Sequence, residues 1–414
     1  MAATELPPPE AVIGPRAWLW RNLFSNAANS IVTVVLGSAL ILTLVVAVEW
    51  ALSRARWGVI TANFRLFLMY VYPLEHAWRI WLVLALLSLI AGLSAAHSRT
   101  GPVRTLAVWL AAGQLLLAAL AALSAVEALL IGEREARAEE LLIIAGGLLA
   151  NAGIGFAALT VGRAVRLPNR LIGLAWLAWL PASLLLLQGV GDGLLEQVAT
   201  NLWGGLLLTF LLAVASIVLS FPIGVLLALG RRSDMPVIKW VSTVYIEVVR
   251  GVPLVTILFM AAVMLPLFLP GGLRIDHLYR AIAGLTLFTA AYVAENVRGG
   301  LQAIPLGQIE AANAIGLNAI QRNLYIVLPQ ALRAVIPANV GLFISLLKDT
   351  TLVAIAGTGL LELLGIGQAV LAQTQWVGAY MEVYLFISVV FFVMCYTMSQ
   401  ASYRLEAAMG VGKR

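Results

Sequence analysis

The sequence predicts an all-α polytopic membrane protein of about ten transmembrane helices, and three observations carry that expectation. Of 414 residues, 62% are hydrophobic and only 11% are charged. Soluble chains carry about 25% charged residues, so this one could not cover its surface in water. The apolar residues fall in long uncharged runs. Backbone groups in lipid must be satisfied within the chain, which makes such runs helices. The basic residues sit in short links between the runs, where they set topology. The net charge of +6, from 26 Lys+Arg against 20 Asp+Glu, therefore reads as membrane orientation and not as a nucleic-acid footprint. A soluble enzyme is excluded.

Residues 1–21, with Pro7-Pro8-Pro9, read as a tail. Arg16 and Arg21 before an apolar run also fit a signal peptide. The uncharged run 22–48 is nevertheless long enough to cross about 30 Å of hydrocarbon, and is read as a retained first helix. Further uncharged runs cover 80–96, 105–126, 141–162, 171–191, 197–230, 251–273 and 383–403. Two weaker segments complete the count. Residues 279–299 span if Glu295 and Arg298 sit at the interface, and 335–358 span if Lys348 and Asp349 are tolerated inside protein. Eight or nine spans follow if the marginal runs fail. With ten, the termini share a side. That side holds Arg16, Arg21, Arg99, Arg104, Arg163, Arg166, Arg170, Arg231, Arg232, Lys239, Arg298, Arg322, Arg333, Arg404, Lys413 and Arg414. The opposite links are poorer in Lys/Arg, with Arg54, Arg56, Arg65, Arg79, Arg134, Arg137, Arg274 and Arg280. The richer side is cytoplasmic.

Residues 22–196 form an amino-terminal extension of about five plain Leu/Ala-rich helices. Gln114, Asn151 and Gln188 suit interhelical hydrogen bonds, and Gly146, Gly147, Gly153 and Gly155 suit close helix contacts. Residues 197–407 are richer in polar groups, Pro and Gly, and 408–414 form a second tail. Tyr245, Glu247, Arg250, Gly251 and Pro253 head one apolar run, and Tyr292, Glu295 and Arg298 end another. Glu247–Arg250 and Glu295–Arg298 have the i,i+3 spacing that pairs charges on a helix face. They are either helix-end anchors with snorkelling arginines or a cytoplasmic rim facing a moving partner. A short helix is expected at 308–313, with Glu310 charging its first turn, small Ala311 and Ala312, and Gly316 turning the chain. Such a helix near 305–320 cannot form a core alone and is shaped to enter another protein's groove. Ionisable Lys348 and Asp349 next to an apolar run, with Thr350 and Thr351, are candidates for a substrate path.

His76, His97 and His277 are far apart and lack metal-ligand spacing. Cys395 is the only cysteine, so no intrachain disulfide exists. No Gly-rich loop ending in Gly-Lys-Ser/Thr is present, so the chain is not expected to hydrolyse ATP.

These residues resemble the permeases of bacterial ATP-binding-cassette importers, in the polar amino acid branch of histidine and glutamine permeases. The resemblance rests on Tyr245 to Leu254, Tyr292 to Gly300, Pro305 to Ala312, Leu328-Pro329-Gln330 with Arg333, and Lys348-Asp349-Thr350-Thr351-Leu352. It covers about 201–407. It implies a type I, MetI-like five-helix core at 197–407 in a bacterial inner membrane, with both termini cytoplasmic. In that family the Glu-Ala-Ala helix docks on the ATPase. Gln308, Glu310, Ala311, Ala312, Gly316 and Arg322 take that role by resemblance. The implied partners are an ATPase dimer that uses ATP and Mg, a second permease, a periplasmic amino-acid-binding protein and an L-amino acid. The chain itself would hold no cofactor or metal. The long amino-terminal half is similar to the larger permease of general L-amino acid importers, with a glutamate/glutamine/aspartate importer as the alternative. An ion-coupled secondary transporter is the reading from another class, since intramembrane charge and broken helices suit it too.

Overall fold

The computed structural model describes residues 14–98, 101–130, 135–165, 167–191, 193, 195–270 and 274–410. Most of the expected amino-terminal tail and residues 411–414 lie outside them. Two compact units result, Met1–Trp57 and Gly58–Arg414. Residues 58–196 fold together with the carboxy-terminal half.

The first unit holds α1 (Pro15–Leu23) and α2 (Ala27–Glu49). Part of the expected tail is thus helical, and the first long helix starts later than residue 22. Asn26 sets that start, because its side-chain oxygen accepts the Asn29 N–H at 2.8 Å. Such a cap contributes about 1 kcal/mol. α2 is apolar around its circumference, as suits a helix in lipid.

The second unit opens with two short helices, α3 (Gly58–Ala62) and α4 (Phe64–Met69). Four long ones follow: α5 (Trp78–His97), α6 (Gly101–Leu130), α7 (Glu135–Val161) and α8 (Asn169–Gln188). Gln114 on α6 donates to Ser88 Oγ on α5 at 2.9 Å, an interhelical bond of the expected kind. Asn151 instead bonds Gly147 O of its own helix, and Gln188 accepts from Tyr279. α5 and α7 meet backbone to backbone at Gly92, where a Cβ would fall 2.4 Å from Gly155 O. Gly146 and Gly153 face open space, so only Gly147 and Gly155 of the four expected glycines lie at a contact.

Next come α9 (Gly205–Arg231), α10 (Pro236–Gly251), α11 (Leu254–Phe259) and α12 (Leu265–Phe268). α13 (His277–Gln302), α14 (Leu306–Ala314), α15 (Ala319–Arg322) and α16 (Leu328–Asp349) follow. α17 (Leu352–Ile355), α18 (Leu363–Leu371) and α19 (Tyr380–Met409) complete the chain. Among the described residues, eight helices are long and apolar enough to cross a membrane, or nine if the bent pair Pro236–Gly251 and Leu254–Phe268 is one span. The expected span 279–299 lies in α13. That helix is about 39 Å long at 1.5 Å per residue, but it is less apolar than the eight. Its polarity is tolerable because α9, α10 and α16 enclose it.

Two expected spans are corrected. Within the run 251–273 the helical stretch is shorter, Leu254–Phe268. Val252-Pro253 separates it from α10, since proline disfavours helical backbone in the residue before it, and the chain turns there by 107°. The run 335–358 is not one helix. The helical stretch is Ala319–Asp349, so Lys348 and Asp349 stand at its end and not mid-span.

α9, α10, α13 and α16 converge on a core of Val225, Ile246, Val293, Val297, Ala331 and Val335. Lipid gives helices no hydrophobic reason to associate, so close fit must hold them. Gly224 and Gly300 supply it. A Cβ on Gly224 would lie 2.6 Å from Val293 Cβ, and one on Gly300 would lie 2.5 Å from Val335 Cγ1 and 2.7 Å from Ala331 O. The Ala331 carbonyl is backbone and cannot step aside. Gly300→Ala is therefore expected to destabilise the bundle by about 1–3 kcal/mol, read as a lower thermal midpoint of the detergent-solubilised complex. An unchanged midpoint would refute this contact.

Candidate functional site: a capped surface helix and an ion-paired rim

α14 begins at Leu306, directly after Pro305, whose fixed φ suits a helix start. It is longer than the expected 308–313, and Glu310 consequently lies beyond its first turn. The helix ends in a Schellman motif. Leu317 N–H donates to Ala312 O at 3.1 Å, and Gly316 N–H donates to Asn313 O at 3.0 Å. Gly316 occupies the left-handed position with φ 80°, the conformation glycine adopts at least strain. The chain restarts at once. Asn318 and Gln321 form a reciprocal capping box at 2.8 and 3.1 Å, and Arg322 Nη1 reaches back to Asn313 Oδ1 at 2.9 Å. Helix, turn and return helix are thus one braced unit.

Its faces differ. Ala312 is only 3% exposed and turns inward. That removes it from the outer contact surface expected of it, and its small size serves packing. Gln308, Glu310, Ala311 and Gly316 are exposed. Beside them Leu306 and Ile315 are 73% and 74% exposed. Large apolar side chains on a braced helix suit a protein-binding surface.

The second feature is a cluster of charges where α9, α10 and α13 meet. Arg298 donates to both Glu295 oxygens, with Nε to Oε2 at 3.0 Å, the expected i,i+3 pair. The matching pair Glu247–Arg250 is absent from the ion pairs of the described residues. Glu247 instead binds Arg231 Nη2 at 2.8 Å, and Arg250 Nη1 lies 3.4 Å from Glu295. Arg231 Nη1 also lies 3.5 Å from Glu295. α10 packs against α9 and α13, so Glu247 and Arg250 each meet a partner on a neighbouring helix. Arg250 also lies over the Tyr292 ring at 5.5 Å, a cation–π contact. Tyr245 donates to Leu287 O at 2.7 Å. Gly251 and Pro253 flank the 107° break at the end of α10. Sequence reasoning missed Arg231 as a member of the cluster. Its position at the end of an apolar run, ahead of a second Glu/Arg pair, was the only signal. Three guanidinium groups against two carboxylates leave a surplus positive charge in a cluster that ties the three helices together.

The candidate path residues do not converge. Thr350 and Thr351 donate to Leu347 O and Lys348 O at 2.7 and 2.8 Å, so both hydroxyls serve the helix end. Thr350 is buried, Lys348 is exposed and Asp349 is half-buried. A neighbouring polar contact joins α13 to α16, with Asn296 Nδ2 donating to Asn339 Oδ1 at 3.0 Å. Among the described residues no His/Cys/Asp/Glu group could hold a metal ion.

Residues 220–409 match the family model for the binding-protein-dependent transport system inner membrane component. The inner membrane amino-acid ABC transporter permease protein YhdY of Escherichia coli K12 is 45% identical over 239 residues, covering 58% of this chain and 65% of that protein. The chain thus spans just under two thirds of that relative. The glutamate/glutamine/aspartate/asparagine transport system permease protein BztC of Rhodobacter capsulatus is 36% identical over 436 aligned positions, covering 97% of this chain and 95% of that protein. Among solved structures, the crystal structure of an amino acid ABC transporter with histidines is 31% identical, covers 49% of this chain and 92% of that chain, and has a TM-score of 0.44.

Proposed function

Since this chain belongs to the amino-acid ABC transporter permeases, we propose that it is the membrane subunit through which an ATP-driven importer passes L-amino acids. It is a transport subunit of a bacterial inner membrane, and its family works with separate ATPase subunits and a binding protein. Residues 197–407 are the permease core on this reading, and both termini and α14 face the cytoplasm. The partners are an ATPase dimer using ATP and Mg, a second permease and a periplasmic amino-acid-binding protein. The observation that carries the reading is α14. It combines the Glu-Ala-Ala sequence, a rigid Schellman turn on Gly316 and an exposed apolar flank.

The mechanism follows from the braces. Closure of the ATPase dimer pushes α14. The Arg322–Asn313 bond and the capping box transmit that push to α15 and α16 without bending. α16 packs on α13, whose end carries Glu295 and Arg298. The ion-paired rim then exchanges partners as the cytoplasmic opening changes. A zwitterion crossing the bundle needs polar contacts along its way, for which Lys348 and Asp349 remain candidates beside the Asn296–Asn339 pair that joins α13 to α16. The near full-length likeness to BztC favours glutamate, glutamine, aspartate and asparagine as cargo over a broader range.

The test is uptake of labelled amino acids by proteoliposomes holding the complete complex. ATP-dependent uptake that needs the binding protein is expected. Uptake by this chain on an ion gradient, without the ATPase, would establish a secondary transporter instead.

A further inference from the structure

At the opposite end of α9 from Arg231, three stretches of chain interlock through their backbones. α9 starts at Gly204-Gly205, and these residues pair in parallel with Leu361 and Glu362 at the start of α18. The α4 segment lies against the same two glycines. A Cβ on Gly205 would fall 2.4 Å from Phe67 O, and one on Gly204 would fall 2.6 Å from Leu361 O and 2.7 Å from Tyr70 Cβ. Gly205 has φ 60°, and Tyr70 has φ 55°, the only non-glycine among the described residues with a left-handed φ. A non-glycine held in such a conformation requires surroundings that over-determine it.

The joint is also sealed. Val59, Phe67, Tyr72 and Trp203 are fully buried. Tyr72 donates to Leu187 O at 2.9 Å, and the Phe67 ring meets Phe386 of α19 edge-on at 5.1 Å. Glu362 is fully buried at its centre. Its two carboxylate oxygens accept the N–H groups of Leu364 and Gly365 at 2.8 and 2.9 Å, which caps α18. Thr209 closes the ring of contacts: its hydroxyl donates to Gly205 O at 3.0 Å and accepts from Leu363 N–H at 3.0 Å.

Residues 58–72 are thus seated between α9, α18 and α19. We propose that Gly205, Thr209 and Glu362 are positioning residues, through which the amino-terminal helices hold the start of α18 in the arrangement that transport requires. This rests on the importer reading above. A carboxylate at position 362 offers two acceptors to two backbone donors. An amide offers one acceptor and sets an N–H2 against the other donor, which lets the start of α18 loosen without removing bulk.

The experiment uses the complete reconstituted importer with substrate-loaded binding protein. Glu362→Gln and Gly205→Ala are each expected to lower maximal uptake about tenfold, with half-saturation by the loaded binding protein unchanged within about twofold. Because both act on one joint, the double variant is expected to be no worse than the poorer single one. Thr209→Val keeps the shape of the side chain but leaves the Leu363 N–H without its acceptor, and is expected to lower maximal uptake, with Thr209→Ser restoring it. Wild-type uptake rates in Glu362→Gln and Thr209→Val, or independent multiplicative losses in the double variant, would overturn the proposal. If the wild-type complex itself shows no ATP-dependent uptake, the importer reading fails, and that result is distinct from either outcome.

Discussion

Gly316→Val is expected to leave the chain inserted and assembled but to cut ATP-driven uptake by about a hundredfold, while ATP hydrolysis continues. The reasoning begins with φ 80° at Gly316. A β-branched residue there costs about 1–3 kcal/mol of backbone strain, which the short turn relieves by unwinding. Unwinding breaks the two bonds from Gly316 and Leu317 to Asn313 and Ala312. Asn313 is also the residue that Arg322 grips, so loss of the turn releases α14 from α15. A motor stroke on α14 is then absorbed locally. A loss of 2–3 kcal/mol of coupling corresponds to roughly 30- to 150-fold. The space around Gly316 is open, so collision with neighbours is not the cause, and Gly316→Ala should fall between the two. Comparing hydrolysis and uptake in the same proteoliposomes separates uncoupling from misassembly. Normal uptake by Gly316→Val would reject the braced-turn account.

The second large effect is expected at Glu295. This carboxylate alone contacts Arg231, Arg250 and Arg298. Glu295→Ala leaves the last two without an ion-pair partner among the described contacts, while Arg231 keeps Glu247. The side chain is partly exposed, so solvent softens the loss. Charge-assisted hydrogen bonds of this kind contribute about 1.5–3 kcal/mol each in favourable cases. The expected result is a fall of several degrees in thermal midpoint and at least tenfold lower uptake. Glu247→Ala removes one contact and should be milder. The order of effects discriminates the observed cross-helix cluster from two independent helix-end pairs, which would make Glu247 and Glu295 equivalent.

Much of this was legible in residues. Long uncharged runs located the helices, because in lipid length and lack of charge decide the matter. The glycine after Glu-Ala-Ala marked the turn, since few other residues take that φ. Where contacts across the bundle decide, the sequence was silent. The i,i+3 spacing of Glu247 and Arg250 suggested a pair, but α10 packs against α9 and α13, and these two side chains pair with Arg231 and Glu295 there. Ala312 looked like surface for the same local reason and proved inward-facing. Residues 58–72, a short stretch between apolar runs, carry the aromatic groups that seat them on α9 and α19, which no local pattern announces. Nothing in the sequence around Glu362 announces that it accepts two backbone N–H groups.

The most direct test labels the outer face of α14. In a Cys395→Ser background, Gln308→Cys is placed on the exposed side of that helix, and sealed cells are treated with a membrane-impermeant thiol reagent and, separately, a short bifunctional crosslinker. The account predicts no labelling from outside, labelling once the membrane is opened, and a crosslinked product containing the ATPase subunit. Labelling of intact cells from outside, or a crosslink map in which the ATPase never joins this position, would contradict it.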